Sequence, residues 1–128
     1  MKLTVAEWKI MNVLWKRHPA SARDILEGVE GETDWAYTTV KTLLSRLEAK
    51  GVLRSRMRAN TALYEPVLSR ANARRSALRS VLETAFHGAF GPMLQFLVSD
   101  ERLSAKERDE LLRLLKESRQ KQGRGGRK

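Results

Sequence analysis

The 128-residue chain contains no cysteine, and this absence removes disulfides, thiolate metal sites and a cysteine nucleophile together. Histidine is nearly as scarce: His18 and His87 are the only two, too far apart in sequence to build a usual zinc site by themselves. No apolar run approaches the roughly 18–20 residues needed to span a bilayer. The N-terminus carries acidic and polar residues by position 7, so no signal peptide is expected. No glycine-rich phosphate loop and no paired nucleophile and base occur, so an enzyme is not expected. A soluble, cytoplasmic protein without cofactor or metal is the expectation.

What the chain does have is positive charge, unevenly placed. Lys and Arg number 25 against 15 Asp and Glu, a net charge of +10. Residues 1–40 carry 5 basic and 6 acidic side chains. Residues 41–79 carry 10 basic and 2 acidic, whereas residues 80–118 carry 5 and 7. The last ten residues add five more cations. Charge gathered in one central segment and one tail predicts a polyanion-binding face, because charge serving solubility alone would be spread.

Periodicity and punctuation divide the chain. "TVAE" at 4–7 is a capping box opening a first helix to about Arg17, with Val5, Trp8, Met11, Leu14 and Trp15 inward. Ser21 caps a short second helix that stops near Gly28. In "TTVKTLLSRLEAKG", residues 38–51, Val40, Leu43, Leu44 and Leu47 fall at i, i+3, i+4 and i+7 and form one buried stripe. Thr38, Thr39, Lys41, Thr42, Ser45 and Arg46 remain on the other faces. Short hydroxyls between cations would let a large anionic surface come close. Gly51 ends the helix as a left-handed cap.

The period then changes to two. "VLRSRM" alternates Val52, Arg54 and Arg56 against Leu53, Ser55 and Met57, and "TALYEP" follows after about three residues, "RAN". A β-hairpin is the natural reading. From Ser69 the pattern is helical again, broken at "HG" (87–88) and "GP" (91–92). "SAKE" at 104–107 opens a last helix to about residue 118, and the basic tail 119–128 is expected to be disordered.

Three short helices, a hairpin and three further helices predict a mainly α fold with a small β-hairpin. Residues 1–68 would form an N-terminal winged helix-turn-helix and residues 69–118 a C-terminal three-helix lobe. The lobe is a poor core alone, so dimerisation through Phe86, Phe90, Leu94, Leu97, Leu111 and Leu115 is expected. Thr38, Thr39, Lys41, Thr42 and Arg46 are the expected DNA contacts of the recognition helix. Arg54, Arg56, Arg58 and Asn60 are those of the wing. The blander readings are specific too: hairpin arginines also serve as edge-strand charges that block aggregation. Trp8 and Trp15, at helical spacing, fit a core better than a stacking platform. Arg74, Arg75 and Arg79 fit a solvated helix face as well as a DNA contact.

The stretches "LTVAEWKIMNVLW" and "TVKTLLSRLEAKGVL", the Tyr64-x-Pro66 hairpin end, "AFHGAF" and "LVSDERLSAKERDELLRLL" together resemble the penicillinase-repressor family (the BlaI/MecI/CopY type) over residues 3 to 117. The resemblance implies a bacterial, homodimeric winged-helix transcriptional repressor bound to double-stranded DNA at an inverted-repeat operator. Four departures stand out. The wing turn carries Ala59 and Asn60 where Gly-Arg is common, which moves the wing's basic contact to Arg58 or Arg56. Ala36 stands where a capping serine is frequent, leaving the cap to Asp34 or to nothing. The Asn-Phe bond cut in members controlled by a membrane sensor protease is absent, "LQFL" standing at 94–97, and so are the cysteine pairs of copper-sensing members. A general nucleic-acid-binding protein would share the charge map but show little sequence preference. A winged-helix protein-interaction module would not need so basic a third helix.

Overall fold

The computed structural model describes residues 2–99 and 103–125, with side chains to residue 117. It holds six helices, α1 (Val5–Lys16), α2 (Ala22–Val29), α3 (Tyr37–Ala49), α4 (Arg70–Phe86), α5 (Phe90–Ser99) and α6 (Ala105–Gly125). Three strands, β1 (Ala20–Ser21), β2 (Leu53–Arg58) and β3 (Thr61–Pro66), form an antiparallel sheet in the order β1-β3-β2. The two-residue β1, pairing Ala20 with Tyr64 and Ser21 with Leu63, is too short for any periodicity to announce.

The expected capping boxes form. The Glu7 amide donates to Thr4 Oγ1 at 3.1 Å while the Thr4 amide donates to Glu7 Oε1 at 2.9 Å. Ser104 and Glu107 repeat the arrangement at the start of α6. Ser21, the expected cap of α2, makes a third box together with Asp24. Along α1 the buried set is Glu7, Ile10, Met11 and Leu14. Val5, expected inside, is 75% exposed, and Ile10 takes the inward position. Trp15 is half-buried against the core, edge-on to Trp8 at 5.7 Å, and its indole donates to the Leu68 carbonyl at 2.9 Å. Both rings are therefore structural.

The core joins α1, α2 and α3 to the hairpin: Ile10, Met11, Leu14, Ile25, Val40, Leu44, Leu47, Val52 and Leu53 are essentially buried. Helix α3 stops at Gly51 (φ +81°), where the Val52 amide reaches back to Leu47 O and the Gly51 amide to Glu48 O. This left-handed turn redirects the chain into β2 without leaving those carbonyls unpaired. The hairpin turn is tighter than expected. Arg58 pairs with Thr61, so only Ala59 (φ +49°) and Asn60 (φ +68°) form the connection. Two positive φ values in a two-residue loop match the twist of the strands.

By compactness the chain divides into two units between Ser80 and Val81, inside α4. The change from hairpin to helix in the sequence puts the boundary at 68/69. The difference has a physical cause, since the first turns of α4 belong to the winged helix: Ala73 is buried, and the Arg70 guanidinium lies over the Trp15 ring at 5.5 Å. Helix α6 runs to Gly125, into the stretch 119–128 expected to be disordered, and residues 126–128 lie outside the described residues. Arg119, Gln120, Lys121 and Gln122 are good helix formers, and a helix already nucleated by its capping box propagates through them, whereas Gly123 and Gly125 are poor ones close to its end.

One buried polar contact was not foreseen. Glu7, 2% exposed, receives a hydrogen bond of 2.6 Å from Lys50 Nζ, which also donates to the Lys2 carbonyl at 2.9 Å. Burial by itself would raise the Glu7 carboxyl. The bonds and charge of Lys50 and the amide and hydroxyl of Thr4 outweigh it and hold the group below its ordinary value. A carboxyl depressed on folding stabilises the protein above the ordinary carboxylate range, and that contribution disappears as pH falls through the folded value. Glu7→Gln is therefore expected to cost about 1–3 kcal/mol at neutral pH. In thermal melts the gap to wild type should shrink as pH is taken below about 4.3; a gap independent of pH would show that the contact is not ionic.

Candidate nucleic-acid interface

The rotation of α3 about its own axis is fixed by its buried stripe, Val40, Leu43, Leu44 and Leu47. At about 100° per residue, this sets where every other side chain on the helix stands. Thr38, Thr42, Ser45 and Ala49 form the outward crest, all exposed and all short. Lys41 and Arg46, both exposed, stand on opposite flanks of that crest. Lys41 is on the wing side, its Nζ 3.5 Å from Tyr64 Oη, and Glu48, seven residues on, accepts from Ser55 Oγ of β2 at 2.8 Å. Arg46 lies one turn before Lys50, on the flank that meets α1 through Glu7. Thr39 is half-buried on that same flank. The five recognition-helix residues singled out in the sequence are thus brought onto one outward arc, with Thr39 at its edge.

The N-terminus of α3 is unlike those of α1, α2 and α6. Ala36 occupies the cap position without a side-chain hydrogen bond, and the first turn contains no acidic residue. Asp34 does not supply the cap.

On the hairpin, Arg54, Arg56 and Arg58 share one face, but they are not equivalent. Arg54 donates from Nε and Nη2 to Glu65 Oε1 at 3.1 and 2.8 Å, and Arg56 Nη2 lies 3.6 Å from Glu65 Oε2. The hydrogen bond from Arg54, against some desolvation, holds the Glu65 carboxyl below its ordinary value, so it stays ionised. Arg58, at the tip, has no ion pair among the described residues. Sequence patterning could not distinguish the three; the register Arg54↔Glu65 does. Asn60 faces a cleft of about 540 Å³ that the wing shares with the starts of α2 and α3.

The six residues expected to mediate dimerisation are divided in the single chain. Phe90 and Leu97 are exposed, and Phe86, Leu94, Leu111 and Leu115 are half-buried. Phe96 (63% exposed), Leu112 and Leu114 are exposed as well. Phe96 packs edge-on against Phe86 at 6.5 Å. Among the described residues no cluster of His, Cys, Asp and Glu could hold a metal, and no helix is long and apolar enough to cross a membrane.

Three helices with an antiparallel hairpin beside the third, carrying an outward arc of hydroxyls and cations, define a winged helix-turn-helix DNA-binding protein. The model of the penicillinase repressor family matches residues 3–117, and the chain belongs to that family; it is a transcriptional repressor and not an enzyme. It is 27% identical over 114 residues to the methicillin resistance regulatory protein MecI of Staphylococcus aureus, covering 89% of this chain and 93% of that protein. The penicillinase repressor of Bacillus licheniformis is 24% identical over 116 residues, 91% of each. Among solved structures, monomeric Bacillus licheniformis BlaI in complex with the blaP half-operator matches with a TM-score of 0.49 and 24% identity, over 56% of this chain and 88% of that one. MepR, a regulator of the Staphylococcus aureus multidrug efflux pump MepA, gives a TM-score of 0.49 at 21% identity, over 94% and 80%.

Proposed function

We propose that this repressor acts in the cytoplasm as a homodimer that binds an inverted-repeat operator, each protomer laying α3 in the major groove and its wing on the phosphate backbone. The observation that carries the reading is the α3 crest. Thr38, Thr42 and Ser45 are short enough to let base edges approach, while Lys41 and Arg46 flank them without an ion pair among the described residues. Lys or Arg reads guanine O6 and N7, and threonine methyls pack on thymine methyls. Thr39, at the edge of the arc, suits the groove wall. On the wing, Arg58 and Asn60 are the free contacts, and Arg54 and Arg56 reach DNA only in competition with Glu65.

The dimer rests on burial. Among the described residues of the second unit only Met93 is buried, while Phe90, Phe96, Leu97, Leu112 and Leu114 are exposed. A second copy of the same helices covers such a surface with two-fold symmetry, and this symmetry suits a palindrome with half-sites about one helical turn, roughly 34 Å, apart or a multiple of it. Release by cleavage at an Asn-Phe bond has no counterpart in this sequence.

Gel-shift titration on DNA from upstream of its own gene, against random competitor, tests the central reading: binding should survive the competitor. Lys41→Ala and Arg46→Ala should each weaken specific binding by about 1–3 kcal/mol if the residue reads a base, and unchanged affinity in both would sink the groove assignment. Glu65→Gln releases two wing arginines and should tighten binding to any duplex while steepening its salt dependence. Leu94→Asp should give monomers in analytical ultracentrifugation, and an intact dimer would place the interface elsewhere.

A further inference from the structure

The basic cleft beside the recognition helix contains a contact that the groove and wing assignments leave unused. Arg23, in the first turn of α2, places its guanidinium carbon 5.4 Å above the centroid of the Tyr37 ring, at the first position of α3. Both side chains line the cleft of about 540 Å³ whose other walls include Lys41 and Tyr64 on one side and Asn60 and Thr61 of the wing on another. No carboxylate lines it. The nearest acid in sequence, Asp24, is occupied elsewhere: it accepts from the Ser21 amide at 3.0 Å and pairs with Arg17 at 3.4 Å. Arg23 itself has no ion pair among the described residues. The cleft therefore presents two cations, two phenols and an amide, with nothing anionic to balance them.

An arginine stacked on an aromatic face keeps its five N–H donors in the plane of the fork and directed outward. Stacking also removes rotamer freedom before any ligand arrives, which lowers the cost of binding. Such a fork matches the oxygens of a phosphodiester. We infer that Arg23, held by Tyr37, clamps a backbone phosphate of the DNA strand bordering the groove that α3 enters, with Lys41, one turn along α3 from Tyr37, lining the same cleft. The inference rests on the proposed DNA-binding reading and adds to it a positioning contact that carries no sequence information. Tyr37 acts through Arg23, as a support.

The test is fluorescence anisotropy of the full chain on two duplexes, one from upstream of its gene and one of mixed sequence, at several salt concentrations. Arg23→Ala should weaken both roughly three- to tenfold and reduce the salt slope by about 0.9. Tyr37→Phe should behave as wild type. Tyr37→Ala should reproduce part of the Arg23→Ala loss, and the double variant should lose less than the two effects combined. Thermal melts separate these effects from unfolding, since both side chains are exposed and folded stability should hold. Wild-type binding with Arg23→Ala indistinguishable from it overturns the clamp alone, whereas a wild type that binds neither duplex overturns the DNA reading with it. Melts in inorganic phosphate, against chloride of equal ionic strength, address a free anion: phosphate-specific stabilisation lost in Arg23→Ala would identify a small-anion site and overturn the DNA assignment.

Discussion

The docking of α3 is the constraint from which the rest of the DNA-facing surface follows. Four apolar side chains, Val40, Leu43, Leu44 and Leu47, fix its rotation, and two contacts at its C-terminal end fix its position along its axis. One is the Lys50–Glu7 pair of 2.6 Å, which joins the end of α3 to the first turn of α1. The other is the left-handed turn at Gly51, which launches β2 at a set angle. Buried ion pairs are weak contributors to net stability but are costly to break on one side only. Such a pair restricts how α3 can sit on α1. With the rotation set, the crest and its flanking cations cannot be placed independently of the core.

Carboxylates then decide which cations remain available. Arg54 and Arg56 are held by Glu65, Arg17 by Asp24, Lys9 by Glu32 and Lys50 by Glu7. Lys41, Arg46, Arg58 and Arg23 have no such partner among the described residues, and they border α3 or the wing. Exposed pairs are individually worth little, so their importance here lies in screening. They mask positive charge on the strands and leave it on the flanks of the crest, at the wing tip and in the cleft. The net charge of the central segment announced a polyanion-binding face, and the pairing pattern divides that face into available and engaged groups.

The fold was legible wherever a period or a cap is written into a few consecutive residues. The three inward leucines and one valine of α3, the Thr4-x-x-Glu7 and Ser104-x-x-Glu107 boxes and the alternating hairpin are of this kind. What escaped has a common cause. Strand β1 is too short to have a period, and the Glu7–Lys50 pair joins residues 43 positions apart. Arg54 and Arg56 looked free because their partner stands on the neighbouring strand. Arg23 and Tyr37 belong to different helices, and only tertiary structure makes them one contact. The end of α6 is illegible for another reason: its low apolar content gives no period, although Lys, Gln and Arg sustain a helix that is already nucleated.

Division of the molecule within α4 bears on how binding could be controlled. The first turns of that helix are tied to the winged helix through Ala73, Arg70 and the Trp15 indole bond to Leu68, while its end carries Phe86 into the second unit. In the proposed homodimer the two recognition helices are joined through the pairing of the second units. In that proposal a single α3 would offer a small contact area and few phosphate contacts. Two joined α3 helices act at a high effective concentration, and weak half-site binding becomes tight without any new contact. Anything that separates the second units or changes their pairing geometry would lower operator affinity steeply while leaving each DNA-binding surface intact. Control of such a repressor therefore does not need to touch the crest, the wing or the cleft.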